Sequence, residues 1–243
     1  MKNLLIHVSP NKNFHDEEHR MSVKIQIDNS LALGWKRDDI ILATNFDYEY
    51  NGVKSILIDD DSYCDYWWPA TKINSIVNLF KKGIIEKGLY WYHDFDCFEL
   101  NKIIESEVRE EMGECNLGAS NYCQRIRLCS ASMFFDEKAE DMFDWMKADG
   151  YNRKKEEEMV LMKMAYDAEN PLSKRFKMVN TTYAFHKFNI VKTYKTTIKP
   201  IRAAHFHLTP DKYDFYVRGN NKLNKVLIPE RLITIFEKHG FKE

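Results

Sequence analysis

The sequence of 243 residues contains no apolar stretch long enough to span a membrane. A helix that crosses a bilayer needs about 20 consecutive apolar residues. The apolar run near the N-terminus is too short for a signal peptide, and its pattern favours a first β-strand instead. We therefore expect a protein without a membrane span.

Cysteine is scarce and is not arranged in any pair of the C-x-x-C type. The five cysteines are Cys64, Cys97, Cys115, Cys123 and Cys129. An odd number at this spacing matches neither a zinc site nor a disulfide framework. The simpler interpretation is a reducing compartment, so we predict a cytoplasmic protein.

The chain also has no surplus of charge of one sign, since its 36 Lys and Arg residues are balanced by 37 Asp and Glu residues. This balance gives no electrostatic footprint for nonspecific binding to nucleic acid or to an anionic membrane. It does not exclude a nucleic acid as a substrate. No G-x-G-x-x-G and no Walker sequence occurs, which leaves dinucleotide-binding and P-loop functions without support.

Large apolar side chains are abundant, with 15 Phe, 13 Tyr and 5 Trp in a chain that is 44% hydrophobic. Such a chain buries a sizeable core without help from disulfides or structural metals. No internal repeat, low-complexity segment or linker of the Gly/Ser or Pro-rich type interrupts it. We predict a single domain over residues 1–243.

Short runs rich in Ile, Leu, Val or aromatic residues predict strands. They are Leu4–Val8, Ile40–Thr44, Val53–Ile58, Leu89–Tyr92, Ala131–Phe135 and Ile190–Tyr194. Apolar residues at helical spacing predict helices between these strands. The helical patterns run from Ile73 to Phe80 before Gly83, from Ala139 to Met146 before Gly150, and from Pro229 to Gly240.

The segment from Glu17 to Leu33 combines an alternating pattern with a helical one. We assign it to a helix, because a second strand here would need a hairpin turn that the sequence lacks. Strands that alternate with helices predict an α/β fold with a mainly parallel sheet and helices on both faces. In such sheets, ligands bind at the carboxyl ends of the strands.

An acidic pair, Asp94 and Asp96, follows the buried-type strand Leu89–His93 directly. In extended chain, side chains at i and i+2 point the same way, so the two carboxylates lie close together. Burying both is costly unless a cation neutralises them. Hard oxygen ligands without a thiolate select Mg²⁺ or Mn²⁺. The alternative is that this D-x-D motif only begins a turn.

The order of motifs around this pair resembles the GT-A glycosyltransferases, and among them the glycogenin-like family. In this family a Lys-bearing helix precedes the D-x-D strand, a strand with small residues follows it, and an acidic pair then opens a helix. A His-Phe strand end and a Lys come last. The corresponding segments here are Ala70–Ile73, Leu89–Cys97, Cys129–Phe135, Glu156–Leu161, and Ala203–His207 with Lys212. The Gly that usually follows the His-Phe element is absent, which leaves both His205 and His207 as candidates.

The resemblance implies a role for each matched residue. Asp96 would bind the metal directly, and Asp94 would bind the metal, the ribose hydroxyls or both. His205 or His207 would complete the metal's shell, with His205 favoured by the alignment. Catalytic carboxylates would come from Asp94, Asp96, Glu157 and Glu158. The nucleotide-sugar would contact Ser9, Asn11, Lys72, Asp94, Ser130, Ser132 and Lys212. These residues also have ordinary structural explanations. Acids are favourable at the start of a helix, serines are small enough for a strand, and lysines are commonly solvated on the surface.

The implied fold is Rossmann-related, with a nucleotide-binding part at about 1–100, an acceptor-side part at about 101–212 and a C-terminal helix at about 229–240. The implied function is metal-dependent transfer of a hexose or pentose from a nucleotide-diphosphate donor, with UDP-sugar favoured. The acceptor could be a glycan, a protein or a modified nucleic acid. The resemblance favours a reaction that retains the configuration of the sugar. Neither the donor sugar nor the oligomeric state is encoded in a recognisable pattern.

Two other functions fit parts of the sequence. A phosphatase of the haloacid dehalogenase type also has an apolar strand that ends in D-x-D. Against it, Asp94 stands late in the chain, and Phe98 occupies the second position after the pair, where a small residue belongs. The other alternative is a catalytically inactive module that binds a nucleotide-sugar.

Overall fold

The computed structural model describes residues 1–122, 127–186, 194–206 and 228–241. Its helices are α1 (Glu17–Ala32), α2 (Thr71–Lys81), α3 (Glu105–Met112), α4 (Glu140–Arg153), α5 (Glu157–Tyr166) and α6 (Glu230–Lys238). Its strands are β1 (Lys2–His7), β2 (Ile40–Thr44), β3 (Glu49–Tyr50), β4 (Val53–Leu57), β5 (Leu89–His93), β6 (Cys97–Glu99), β7 (Leu117–Asn121), β8 (Leu128–Asp136), β9 (Phe176–Met178), β10 (Phe185–His186) and β11 (Ala203–His205).

The central sheet has eight strands in the order β3-β4-β2-β1-β5-β8-β7-β9. The pairs β1–β2, β1–β5, β2–β4 and β7–β9 are parallel, and the other three pairs are antiparallel. After β1, the chain forms β2 on one side of that strand, and β5 later pairs with β1 on its other side. This reversal is a topological switch point, where sheets of this kind form a ligand crevice.

Helices cover both faces of the sheet, as the sequence predicts. Leu4 and Ile6 of β1 pack with α2 and α4 in one cluster, whereas Leu5 packs with Val23 and Ile27 of α1 in another. This division follows from strand geometry, because successive side chains point to opposite faces. The mixed α/β fold class is confirmed.

The ambiguous segment is a helix, as predicted. Asp16 caps α1 by accepting a hydrogen bond from the His19 backbone N–H at 2.8 Å. Its alternating pattern reflects packing on two sides, because Val23 and Ile27 pack with β1 whereas Ile25 packs with the cluster around Phe98. Gln26 donates to the Phe95 carbonyl at 2.7 Å, and Asn29 donates to the Glu99 carbonyl at 2.9 Å. Helix α1 therefore ties the main sheet to the segment that contains the acidic pair.

Several boundaries differ from the predicted ones. Helix α4 continues past Gly150 to Arg153, and a Cβ at Gly150 would lie 2.7 Å from the Tyr66 hydroxyl. This glycine therefore permits a close approach and does not end the helix. The predicted strand Ile190–Tyr194 falls outside the described residues except for Tyr194.

Four of the five cysteines lie in the described part of the chain, and all four are free thiols: Cys64, Cys97, Cys115 and Cys129. None of the described helices is long and apolar enough to cross a membrane.

A smaller sheet of three strands, in the order β10-β11-β6, completes the fold. Strands β11 and β6 are antiparallel, and His205 pairs with Cys97. Helix α6 packs on this sheet through Leu232 and Phe236, which share a cluster with Phe98. The pairing brings the end of β11 beside the acidic pair, although the two segments are about a hundred residues apart in sequence.

Glu99 of β6 is a buried acid in this smaller sheet. One carboxylate oxygen accepts the Ile103 N–H and the other accepts the Trp35 indole N–H, each at 2.7 Å. Burial raises the pKa of Glu99 to about 7 from 4.5. A raised pKa in the folded state favours the protonated form, so its stabilisation is present at acidic pH and is lost as pH rises through about 7.

We predict that the unfolding free energy of the wild type, relative to Glu99→Gln, falls by about 3 kcal/mol between about pH 4.5 and about pH 8. Urea unfolding of both proteins at each pH measures this difference. The Gln variant is the reference because it shares every other titrating group. A difference that stays constant with pH would contradict the buried-acid assignment.

Candidate functional site

A cavity of about 430 Å³ opens at the carboxyl ends of the central strands. His7 and Val8 line it at the end of β1, and Asp94 and Asp96 line it beyond β5. Glu157 at the start of α5 and Lys72 in the first turn of α2 close the side next to β8. The cavity therefore occupies the crevice that the topological switch point predicts.

Asp94 lies at the centre of this cavity. Its backbone N–H donates to the Ala131 carbonyl of β8 at 2.9 Å. One carboxylate oxygen accepts the Lys72 ammonium at 2.8 Å, and the other accepts the Tyr92 hydroxyl. Tyr92 precedes Asp94 by two residues on the same strand face. The neighbouring elements thus hold this carboxylate in one orientation.

Asp96 lies opposite His205. The Nε2 atom of His205 is 3.2 Å from a carboxylate oxygen of Asp96, and its Nδ1 atom is 3.6 Å from the Cys129 sulfur. Burial alone would lower the pKa of His205, but the Asp96 carboxylate outweighs it and raises that pKa well above its usual value. The imidazole is therefore held between a carboxylate and a thiol, with Nε2 directed at the acidic pair.

Lys72 is almost fully buried, with 7% of its side chain exposed. Its ammonium group lies 2.8 Å from Asp94, 3.6 Å from Glu157 and 3.3 Å from the Ser130 hydroxyl. Burial lowers the pKa of Lys72, but the two carboxylates outweigh it and keep the amine protonated. This contact explains a cation in the first turn of a helix, where the dipole disfavours it.

The two acids that open α5 are both buried, and each accepts hydrogen bonds from two side chains. Glu157 accepts hydrogen bonds from Ser130 at 3.0 Å and from the Trp67 indole at 2.6 Å. Burial raises the pKa of Glu157, yet Lys72 and these hydrogen bonds bring it below its usual value. Glu158 accepts from the Arg127 guanidinium at 2.8 Å and from the Tyr122 hydroxyl.

Three side chains of the cavity, from two segments of the chain, have the chemistry of ligands for a divalent cation. Asp94 and Asp96 offer carboxylate oxygens, and His205 offers an imidazole nitrogen, which together suit Mn²⁺ or Mg²⁺. Within the described ranges, no group of three or more His, Cys, Asp or Glu side chains is close enough to hold a metal ion by itself. His207, the other candidate ligand, lies outside those ranges.

A cluster of histidines lines the other side of the cavity, next to β1. The ring of His7 lies 5.3 Å from that of His15 and 5.6 Å from that of His19. Burial, followed by these two neighbours, lowers the pKa of His7 to about 3, so its ring is neutral near pH 7. Its Nε2 atom is buried and has no hydrogen-bond partner in the described part of the chain.

Several predicted site residues do not face the cavity. Ser9 is buried beneath it, where its N–H donates to Asn45, and the exposed Asn11 donates its N–H to the Ser9 hydroxyl. Ser132 accepts a hydrogen bond from the Trp91 indole at 2.9 Å. His207 and Lys212 lie outside the described residues. The structure thus gathers Lys72, Asp94, Asp96, Ser130, Glu157, Glu158 and His205 at one cavity.

Other residues of the cavity were not predicted from the sequence. Tyr92 bonds Asp94, and the i and i+2 relation along β5 is a signal that could have revealed it. The rings of His7, His15 and His19 come together because the start of α1 packs beside the end of β1. No local pattern predicts this contact. Cys129 contacts His205 only through the packing of β8 against the smaller sheet.

Comparison of the fold and comparison of the sequence with known proteins give different results. No protein-family profile matches the chain, and no curated protein matches it. Solved structures of GT-A-type glycosyltransferases do share its fold. The chain therefore has the GT-A fold.

The individual relatives are all distant in sequence. The galactosyltransferase LgtC, solved with donor and acceptor sugar analogues, has a TM-score of 0.59 at 11% identity and aligns over 99% of this chain and 95% of its own. GlyE of Streptococcus pneumoniae TIGR4 has a TM-score of 0.59 at 11% identity, over 98% of this chain and 63% of its own. A glycosyltransferase involved in glycosylation of the major capsid of PBCV-1 has a TM-score of 0.56 at 10% identity, over 86% and 94%.

Proposed function

We propose that this protein is a metal-dependent glycosyltransferase that moves a sugar from a nucleotide-diphosphate donor, with UDP-sugar favoured, to an acceptor hydroxyl. One observation carries the proposal. Lys72, Asp94, Asp96 and His205 converge on a cavity at the switch point of a GT-A fold. Asp94, Asp96 and His205 would hold Mn²⁺ or Mg²⁺, which supplies charge stabilisation for a leaving diphosphate.

The chain's own residues have separate roles in this proposal. Tyr92 and Lys72 fix the orientation of the Asp94 carboxylate. Cys129 contacts Nδ1 of His205, so that Nε2 stays directed towards Asp96. Such supporting contacts keep metal ligands in place and tune their basicity. The cytoplasmic location belongs to the proposal too, and the free thiols support it.

The state of the two α5 acids favours retention of configuration. A general base works best with a pKa near the working pH and an oxygen within reach of its proton. The pKa of Glu157 is lowered, and both of its oxygens already accept hydrogen bonds. Glu158 is engaged by Arg127 and Tyr122. Neither is poised to deprotonate an acceptor, and a retaining enzyme does not need such a base.

Metal removal tests this proposal. We expect the purified protein to hydrolyse one member of a panel of nucleotide-sugars slowly when Mn²⁺ or Mg²⁺ is present. EDTA should abolish the reaction, and excess Mn²⁺ should restore it. Full turnover in EDTA would contradict metal dependence. Release of phosphate from p-nitrophenyl phosphate would instead favour the phosphatase, and UDP binding without any turnover would favour the inactive binding module.

A further inference from the structure

Two adjacent tryptophans stand at the mouth of the cavity. Trp67 and Trp68 both line it, with 37% and 64% of their surfaces exposed. Burying a large aromatic ring is favourable. An exposed ring beside a cavity is therefore suited to pack against a bound ligand. Trp68 makes no contribution to any of the buried hydrophobic clusters of the described residues.

The backbone fixes this pair relative to the reacting centre. Trp68–Ala70 forms a short 3₁₀ turn with Pro69, and the Ala70 N–H donates to the Trp67 carbonyl at 2.9 Å. The turn leads directly into α2, which carries Lys72. The Trp67 indole also donates to Glu157 at 2.6 Å. The backbone on both sides of Trp68 is therefore tied to the site through Trp67 and α2.

The position of the pair separates it from the end of the cavity next to β1. In the sheet order, β5 lies between β1 and β8. His7 lines the cavity at the end of β1, whereas Trp67 bonds Glu157, which in turn bonds Ser130 of β8. A donor that extends from Asp94 towards β1 would leave the Trp68 side to the second substrate.

The charges near the mouth indicate what kind of second substrate fits. At the start of α5, where Trp67 bonds Glu157, the cavity-lining acids are Glu156, Glu157 and Glu158. The cavity-lining lysine and arginine, Lys72 and Arg127, are both already paired with these acids. A phosphodiester chain would meet repulsion here. A neutral polyol would not, and carboxylates accept hydrogen bonds from its hydroxyl groups.

We propose that Trp68 is the stacking platform of an acceptor subsite, and that the acceptor is a neutral sugar ring whose C–H face packs on the indole. This inference rests on the proposed function and narrows its acceptor to a carbohydrate. The site is amphipathic, because the aromatic face of Trp68 borders several hydrogen-bond acceptors. This combination suits a sugar ring. Trp67 acts as a positioning residue that holds the loop against Glu157.

Ligand binding and product formation test the inference together. Saturation-transfer NMR with UDP and Mg²⁺ would measure binding of the methyl glycosides of glucose, galactose and mannose. We expect at least one to bind the wild type, and Trp68→Ala to weaken it by about tenfold or more, as expected for truncation of a buried aromatic anchor. Trp68→Tyr should keep most of the affinity. Tyr166→Ala is the matched control, because Tyr166 is 43% exposed and does not line the cavity.

The ratio of sugar transfer to donor hydrolysis gives a second readout. That ratio should fall about tenfold in Trp68→Ala, because hydrolysis uses water and does not need the platform. The inference is wrong if no glycoside binds the wild type, if Trp68→Ala binds as well as the wild type, or if an oligonucleotide is glycosylated while saccharides are not. Absence of both UDP binding and donor hydrolysis in the wild type would instead overturn the proposed function.

Discussion

Asp96→Asn should lower metal-dependent turnover of the donor by about a thousandfold, because it removes a negative charge from the proposed metal site. Asn keeps the size of the side chain and one oxygen, so the loss reports charge and not shape. We therefore expect weaker Mn²⁺ binding, which EPR of the free ion measures without any turnover.

Asp144→Asn is the matched control, since Asp144 is exposed on α4 and does not line the cavity. It should leave turnover and Mn²⁺ affinity within about twofold of the wild type, as for an ordinary surface substitution. Circular dichroism of both variants checks that they are folded. Equal Mn²⁺ affinity in wild type and Asp96→Asn would remove Asp96 from the metal site.

Lys72→Met should lower the unfolding free energy by about 3–4 kcal/mol in the absence of metal. The substitution leaves the buried carboxylate of Glu157 and the half-buried one of Asp94 without their shared cation. Uncompensated buried charge is costly, because desolvation is no longer offset by the ion pair. Met fills a similar volume, so the loss is electrostatic. Urea unfolding at neutral pH with EDTA measures it.

A double-variant cycle separates this effect from a general loss of packing. Adding Glu157→Gln to Lys72→Met should recover about 1–2 kcal/mol, because one of the stranded charges is then gone. Lys81→Met is the matched control on the exposed side of α2 and should change stability by less than about 0.5 kcal/mol. Strictly additive effects of Lys72→Met and Glu157→Gln would show that the two side chains do not interact.

The fold class could be predicted because its signals are local. Strand β2 occupies the predicted residues Ile40–Thr44, and helix α1 was predicted because no hairpin turn follows the first strand. The three-residue strand β6 could not be predicted, because three residues carry too little pattern, and β11 was expected only through the family's His-Phe strand end. Their existence depends on pairing between distant segments, and sequence patterns do not encode that pairing.

The same distinction holds for the candidate site. Asp94 and Asp96 were visible because they follow one apolar strand directly. Lys72 was selected through its place in the family pattern, and the structure adds the reason, which is its pairing with Asp94. The tether between Trp67 and Glu157 spans 90 positions and no local pattern predicts it. Ser132 illustrates the reverse case, because its neighbour Trp91 uses the hydroxyl that the family pattern assigned to a sugar.

Anomalous X-ray scattering from crystals soaked with Mn²⁺ and UDP gives the most direct test of the metal-diphosphate site. We expect one strong peak beside Asp94, Asp96 and His205, with diphosphate oxygens completing its coordination. A peak elsewhere, or nucleotide bound while both carboxylates face solvent without a metal ion, would contradict the account.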